Sequence, residues 1–298
     1  MAERNIRDVL VDHGLMNKVV KGMRREQYDA INAMNFSSLK ESLIGAFDID
    51  PVLGRDAYEQ TRLAPSQDLQ DSYDRGTLLH LILLQPEEIA GRVAVWDGKT
   101  RHGAAWEEFK AHHTGKLVMT ARDVRDVQTA CRAVRSIPEV RDLLRPCDTE
   151  VAIFTKEGSI FCKCLIDAVT REGEGLCVMY DPKSTRNGID ERSVDRQIDN
   201  LKYHEQLGWY RRCWNKANPN RPIEKAHLIF VSLPPQRAGV HVKTLTTAAM
   251  QWGELRVLQA LERLEECLLK DEWPTYYRNT ISDVRPWQID DDMEFQGV

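Results

Sequence analysis

The sequence predicts an α/β fold: a central mixed β-sheet flanked by helices, preceded by a mostly helical N-terminal portion. Two observations carry that prediction. Three short apolar, β-branched runs (150–155, 159–169 and 175–181) follow one another, separated by Lys156-Glu157-Gly158 and Arg171-Glu172-Gly173-Glu174-Gly175. Runs of that length divided by glycine-bearing turns read as a hairpin or meander. A helical pattern over 193–216, a strand over 226–233 and a final amphipathic helix over 246–270 come next. This α–β–β–β–α–β order implies an α/β core rather than a bundle or a sandwich.

The elements preceding that core read as follows. Residues 5–34 have helical spacing, with apolar Ile6, Val9, Leu10, Leu15, Val19 and Val20 and a basic face of Lys18, Lys21, Arg24 and Arg25. Asn35-Phe36-Ser37-Ser38-Leu39-Lys40 is a helix start with the serines as N-caps, and that helix is expected to end before Asp50-Pro51. Residues 55–75 are polar and read as a loop, and 76–84 as a short helix stopped by Pro86. The stretch 85–120 is mixed, with a loop near Gly98 to Gly103; helices are expected over 121–135 and between Pro138 and Leu144. Beyond the core, Pro234-Pro235 closes the strand at 226–233, and 240–245 reads as one more strand.

The chain has 298 residues with 42% hydrophobic content, enough for one substantial core. It contains no apolar run of membrane-spanning length. Met1-Ala2-Glu3-Arg4-Asn5 leads into a charged stretch without an apolar h-region, so no secretory signal is expected. Seven scattered cysteines, an odd count, point to a reduced, cytoplasmic protein. The net charge is −5, with part of the acid in Asp290-Asp291-Asp292 and Glu294 near the end. An enzyme of nucleic acid with that balance has to concentrate its basic residues locally.

The chemistry centres on Asp167, closing one strand-like run, and Asp181, closing the next. If those strands pair, both carboxylates lie at one sheet edge, a hard-oxygen site suited to Mg²⁺ or Mn²⁺. Lys183, two residues beyond Asp181 in extended chain, faces the same side. Its ammonium can orient an attacking water or stabilise charge developing on phosphate. Pro182 leaves a carbonyl free as a further ligand. Asp181-Pro182-Lys183 alone is also an ordinary turn after a strand, so the flanking residues matter. Glu150 opens the preceding strand and either joins the cluster, holds its water, or is an edge-strand surface glutamate. His80, in an apolar helix, is a metal or phosphate contact or else a packing residue. Gln206 and Tyr210, four apart, share a helix face and either pack on the sheet or point at the site.

These landmarks resemble the RecE-type exonucleases (exonuclease VIII) of the PD-(D/E)XK nuclease superfamily, over about residues 27–287. In order they are Tyr28-Asp29-Ala30-Ile31 to Ser37-Ser38-Leu39-Lys40; Gly76-Thr77-Leu78-Leu79-His80 with Leu83-Leu84-Gln85-Pro86-Glu87; Thr149-Glu150; Cys162 to Asp167; Asp181-Pro182-Lys183-Ser184-Thr185; Tyr203-His204-Glu205-Gln206 with Tyr210; and Asp271-Glu272-Trp273-Pro274 with Pro286-Trp287. Ile166 stands where the superfamily name has proline. On this reading residues 1–26 are an N-terminal helical extension, 27–148 a helical part, 149–288 the catalytic α/β core and 289–298 an acidic tail.

The resemblance implies a Mg²⁺-dependent 5′→3′ exonuclease on linear double-stranded DNA that leaves 3′ single-stranded tails. Asp167, Asp181, the Pro182 carbonyl, Glu150 and His80 would hold the metal, Mn²⁺ substituting, with Lys183, Gln206 and Tyr210 completing the catalytic set. It also implies a ring-shaped homo-oligomer, trimer or tetramer, working beside a single-strand annealing protein and encoded by a phage or prophage. Either Arg211-Arg212 with Lys216 and Arg221, or Lys18 to Arg25, would line the channel. Ser37 and Ser38 with Lys40 form one candidate 5′-phosphate pocket at a helix start, and Arg75 is the competitor. A nuclease with an iron–sulfur cluster is not expected, since only Cys213 and Cys267 follow Lys183. The alternatives are another PD-(D/E)XK DNA nuclease or a catalytically silent DNA-binding or assembly protein of the same fold, and the intact Asp–Asp–Lys set argues against the silent protein.

Overall fold

The first two apolar runs form an antiparallel hairpin, β6 (Cys147–Glu157) and β7 (Ile160–Thr170). It turns at Gly158, whose φ of +55° suits glycine and whose missing Cβ leaves room for the Glu265 carboxylate. β7 pairs antiparallel with β8 (Val178–Thr185), and β8 parallel with β9 (Lys225–Ser232). The β8–β9 crossover is made by α8 (Glu191–Leu201) and α9 (Tyr203–Ala217), because parallel neighbours need a long connection. β10 (Gly239–Leu245) and β1 (Lys18–Val20) complete a six-stranded sheet of order β1-β6-β7-β8-β9-β10. The computed structural model describes residues 6–11, 14–41, 43–44, 48–49, 67–98, 100–144, 147–173, 175–233 and 239–272.

Helices cover both faces of this sheet. Leu228 and Phe230 of β9 join one core with Val194, Leu207, Trp209 and Leu264 from α8, α9 and α10 (Thr247–Lys270). Ile229 and Val231 join the opposite core with Leu78, Leu79, Val127 and Val134 from α3 (Gln67–Leu84) and α6 (Ala121–Ser136). A strand buried on both sides reads as a near-continuous apolar run, as Leu228-Ile229-Phe230-Val231 does. Each such side chain taken fully out of water contributes about 1.5–3 kcal/mol.

A smaller unit sits beside α3. β4 (Val93–Trp96) and β5 (Leu117–Thr120) pair in parallel around α5 (Ala104–His112), and the chain then enters α6. Thr120 caps α6 by accepting from the Asp123 N–H. The Asp123 carboxylate takes Arg75 Nε at 2.9 Å and also the Arg101 guanidinium. Burial pushes the Asp123 carboxyl up, but the Thr120 hydroxyl and the two arginines outweigh it and hold the group below its ordinary value.

The structure changes several expected elements. Instead of a helix over 5–34, the described residues hold a 3₁₀ turn (Ile6–Leu10), strand β1 and the short α1 (Arg25–Ala30). Gly14, Asn17 and Gly22 take positive φ, which stops helix propagation, and β1 gains ladder bonds on β6. The expected helix from Phe36 ends at Glu41 (α2, Phe36–Glu41), and two-residue strands β2 (Leu43–Ile44) and β3 (Asp48–Ile49) follow. Residues 67–75, expected as loop, form the first half of α3. The helix expected over 193–216 breaks at Lys202, which adopts the left-handed conformation between α8 and α9. α4 (Ile89–Arg92) and α7 (Pro138–Leu144) complete the set among the described residues. Residues 55–66 of the expected loop, Asp50-Pro51, Pro234-Pro235, Trp273-Pro274, Pro286-Trp287 and the expected acidic tail lie outside the described residues.

Candidate metal centre at a split strand pair

β7 and β8 pair at Ala168↔Tyr180 and Val169↔Met179, and the ladder stops there. Asp167 and Asp181 would be the next facing pair. Both carboxylates therefore sit within interior strands where the sheet opens, not at strand ends on a sheet edge as the sequence suggested. On the other side of β7, Thr149↔Ala168 and Val151↔Ile166 pair, while Glu150, opposite Asp167, drops out of the ladder. Glu150 has φ +50°, a conformation that costs a non-glycine residue about 1–2 kcal/mol.

Three ligand-bearing side chains converge on that opening. His80 from α3, Glu150 from β6 and Asp167 from β7 each offer one ligand atom, all within 4.8 Å of one another. His80 Nε2 lies 2.8 Å from the Pro182 carbonyl oxygen. A carbonyl only accepts, so Nε2 carries the proton and Nδ1 presents its lone pair, 3.6 Å from Asp167 Oδ2. A histidine whose second N–H is fixed on a backbone carbonyl is oriented as a metal ligand usually is. One lone pair of the Pro182 carbonyl, expected free for a metal, is thus taken by His80.

Asp181 adjoins this triad beside Asp167 and pairs with Lys183, Oδ2 to Nζ at 2.8 Å. The other carboxylate oxygen, Asp181 Oδ1, is buried without a hydrogen-bond partner. The ammonium also donates to Gln206 Oε1 at 3.1 Å, and Gln206 Nε2 donates to the Tyr210 phenol oxygen Oη at 2.8 Å. The Tyr203 ring centroid lies 4.6 Å from Lys183 Nζ. Gln206 and Tyr210 therefore share the face that holds the lysine. Tyr203, three residues before Gln206, belongs to the same face, a spacing from which it was legible.

Burial and then the Asp181 charge hold the Asp167 carboxyl well above its ordinary range. Burial also raises Glu150. It lowers His80, helped by Lys183 and opposed by Asp181, which keeps the imidazole neutral and ligand-competent. Burial alone would lower Lys183; Asp181 outweighs it and the ammonium is retained. Three carboxyl groups crowd around the Lys183 ammonium, with Arg25 a second cation acting on Glu150. The oxygen-rich donor set with one imidazole suits a hard or borderline divalent cation.

Other candidate residues fall in different places. Ser37 lines a cavity of ≈120 Å³ with Arg25, Asn35, Asp167 and Tyr210. Asn35, not a serine, caps α2, its Oδ1 accepting the Ser38 N–H at 2.9 Å, so that amide is not available to a phosphate. Lys40 Nζ donates to the Leu201 carbonyl at 3.1 Å, at the end of α8. Arg75 is held by Asp123. Arg211 and Arg212 bind Glu254, and Arg212 also binds Glu157, fastening α9 to α10 and β6. Lys216 joins Glu157, and Arg221 caps the Thr170 and Arg171 carbonyls. Of the two basic stretches, the one around Arg25 is thus the one beside the cluster.

The chain is therefore a three-layer α/β protein with a carboxylate–histidine cluster beside a lysine at a split in its mixed sheet. No protein-family model matches it, and no curated protein matches it. Its fold is similar to that of the crystal structure named "Putative exonuclease" from Eubacterium rectale, with TM-score 0.58 and 10% identity over 88% of this chain and 97% of that one. At that identity the likeness is one of fold. SSO0001 aligns at TM-score 0.27 and 14% identity over 57% of this chain and 72% of that one, too low a score to support an argument.

Proposed function

We propose that the protein is a divalent-cation-dependent DNA nuclease of the PD-(D/E)XK type, working as a 5′→3′ exonuclease on linear duplex DNA. The observation that carries this is the convergence of His80, Glu150 and Asp167 on one ligand cluster beside the Asp181–Lys183 pair. The fold shared with a protein named as an exonuclease supports it, and the RecE-like order of landmarks supplies the direction and the duplex substrate.

Asp167, Glu150 and His80 Nδ1, with Asp181 adjoining, would hold Mg²⁺ or Mn²⁺. A cation bound there supplies Lewis acidity, neutralising phosphate charge and making water acidic enough to attack at neutral pH. Lys183, held by Asp181, Gln206 and the Tyr203 ring, keeps its proton and presents an ammonium to the attacking water or the phosphate. Burial, and then Asp167 and Asp181, keep the Tyr210 phenol well above its ordinary range, so it serves as a neutral O–H donor beside Asp167. Arg25 and Ser37, in the same small cavity, are suited to a terminal phosphate. By the same resemblance the working form is a ring-shaped trimer or tetramer that hands its 3′ tails to a single-strand annealing protein; light scattering tests the oligomer.

The test is digestion of end-labelled linear duplex and closed circular DNA by wild type and Lys183→Ala. Linear duplex should be degraded from its 5′ ends only with Mg²⁺ or Mn²⁺, the circle should survive, and the variant should be inactive. A fully active variant sinks the site, and a circle cut as fast as the linear form sinks end dependence.

A further inference from the structure

We infer that the groove on the Glu150 side of the cluster is a nucleotide subsite that holds the substrate strand beside the bond to be cut. This rests on the nuclease reading above. The groove has a volume of ≈400 Å³ and is lined by Arg24, Arg25, Gln85, Glu88, Arg92 and Glu150, among others. The cavity of ≈120 Å³ on the other side contains Asp167. Glu150 and Asp167 occupy facing positions on β6 and β7, and Arg25 lines both cavities. A strand passing from one cavity to the other therefore crosses the cluster.

Size and chemistry separate the two. Sites for small organic ligands occupy about 300–1,000 Å³, so the groove accommodates a sugar and base with its phosphate, whereas the smaller cavity takes a single group. Arg92 is pre-set by Gln85 Oε1 at 3.1 Å and Glu88 Oε2 at 2.9 Å, through one of its guanidinium nitrogens. Its remaining N–H donors stay available for an anion. Arg24 makes no ion pair among the described residues, although Glu26 and Glu88 line the same groove. Two guanidiniums at the wall of one groove match the bidentate geometry of phosphate oxygens.

The experiment uses the full chain, a short fluorescein-labelled single-stranded DNA oligonucleotide and Ca²⁺ in place of Mg²⁺, so that binding is read by anisotropy without cleavage. An Arg24→Ala/Arg92→Ala variant should bind about tenfold more weakly or worse. Its slope of log affinity against log salt should shrink by about 1.4, about 0.7 for each lost phosphate contact. A charge-matched control, Arg122→Ala/Arg132→Ala on the exposed face of α6, should bind as wild type does. If the double variant melts early, Arg24→Ala alone carries the test, with a slope change of about 0.7. A groove variant with wild-type affinity and slope, in a protein that still cleaves, overturns the subsite and leaves the nuclease reading standing. A wild type that neither binds the oligonucleotide nor cleaves DNA overturns both.

Discussion

Replacing Asp167 by asparagine should stabilise the metal-free protein and remove its response to cations. Glu150 and Asp167 offer oxygens within 4.8 Å of each other. At an effective dielectric of about 20, two full charges at that separation repel by about 3 kcal/mol. Asparagine keeps the shape and removes one charge. At about 2 °C per kcal/mol for a chain of this size, the melting temperature in EDTA should rise by up to about 6 °C. The pH dependence has a definite sign. Burial, then the Asp181 charge, raise the Asp167 carboxyl, so as pH climbs the unfolded chain releases that proton before the folded one. Wild-type stability in EDTA therefore falls from the ordinary carboxylate range up to the raised value, and the gap to Asp167→Asn opens over that window and closes below it. Cation should reverse the order: at a hundredfold excess over Kd, Mg²⁺ or Mn²⁺ stabilises wild type by about 2.7 kcal/mol, and the variant by much less. Thermal melts by circular dichroism, with EDTA and with each metal, read all of this. A variant that melts at or below wild type in EDTA, or that gains as much from the metal, refutes the cluster as a metal site.

Three further substitutions probe the supports. Lys163, 1% exposed, donates to the Tyr28 and Ile31 carbonyls at 2.8 and 2.7 Å; Lys163→Met leaves both without that donor and should cost about 2–4 kcal/mol in urea unfolding, and an unchanged midpoint would contradict this. A Cβ at Gly253 would overlap the His204 carbonyl and lie 2.9 Å from Glu205 Cα. Gly253→Ala should therefore push α9 from α10, lose about 1–3 kcal/mol of stability and reduce nuclease activity by shifting Gln206; wild-type melting would show the helices already have room. Glu150→Gly removes a positive-φ side chain and one carboxylate, so its melting temperature in EDTA should match or exceed that of wild type while its gain from Mn²⁺ shrinks. A drop of several degrees would mean that the glutamate stabilises the hairpin.

How much of this was legible depended on whether the signal was local. The hairpin, the strand at 226–233 and the α6 and α10 helices follow from runs, turns and caps within a few residues, and they appear close to where the sequence placed them. Residues 18–20 carry the same apolar spacing whether they form a helix face or an edge strand, and pairing with Ala152 to Phe154, far along the chain, decided it. The break at Lys202 has no glycine or proline to announce it; packing of α9 against β7 and α10 imposes a left-handed residue there. The site residues were readable as a set because their chemical types converge. The arginines were not, since a surplus of charge on a helix does not reveal which carboxylate each will meet. Arg211 and Arg212 fasten helices, whereas Arg25 lines the cavities.

One trace of the site was present in the pattern of the strands themselves. Along β7, Ile160, Cys162, Cys164 and Ile166 face the α9 core, but Ala168 faces the α3 core and Val169 returns to the first. Along β6, Cys147 faces the α3 core, and Val151 and Ile153 the α9 core. A regular strand keeps one parity per face, so both strands change phase, and they do so at Glu150 and Asp167. The register on either side of the change is the same, which means no residue was inserted; the two backbones rotate together. That rotation is what Glu150 absorbs in its positive φ. It frees the Glu150 and Asp167 side chains from the regular faces of a sheet covered by helices on both sides and directs them toward His80. A carboxylate on a regular face would be buried against apolar helices; at the phase change Asp167 meets a histidine, a second carboxylate and a cavity. The local strain and the ligand cluster are thus one feature: the positive φ of Glu150 and the convergence of Glu150, Asp167 and His80 arise at the same turn of the two strands.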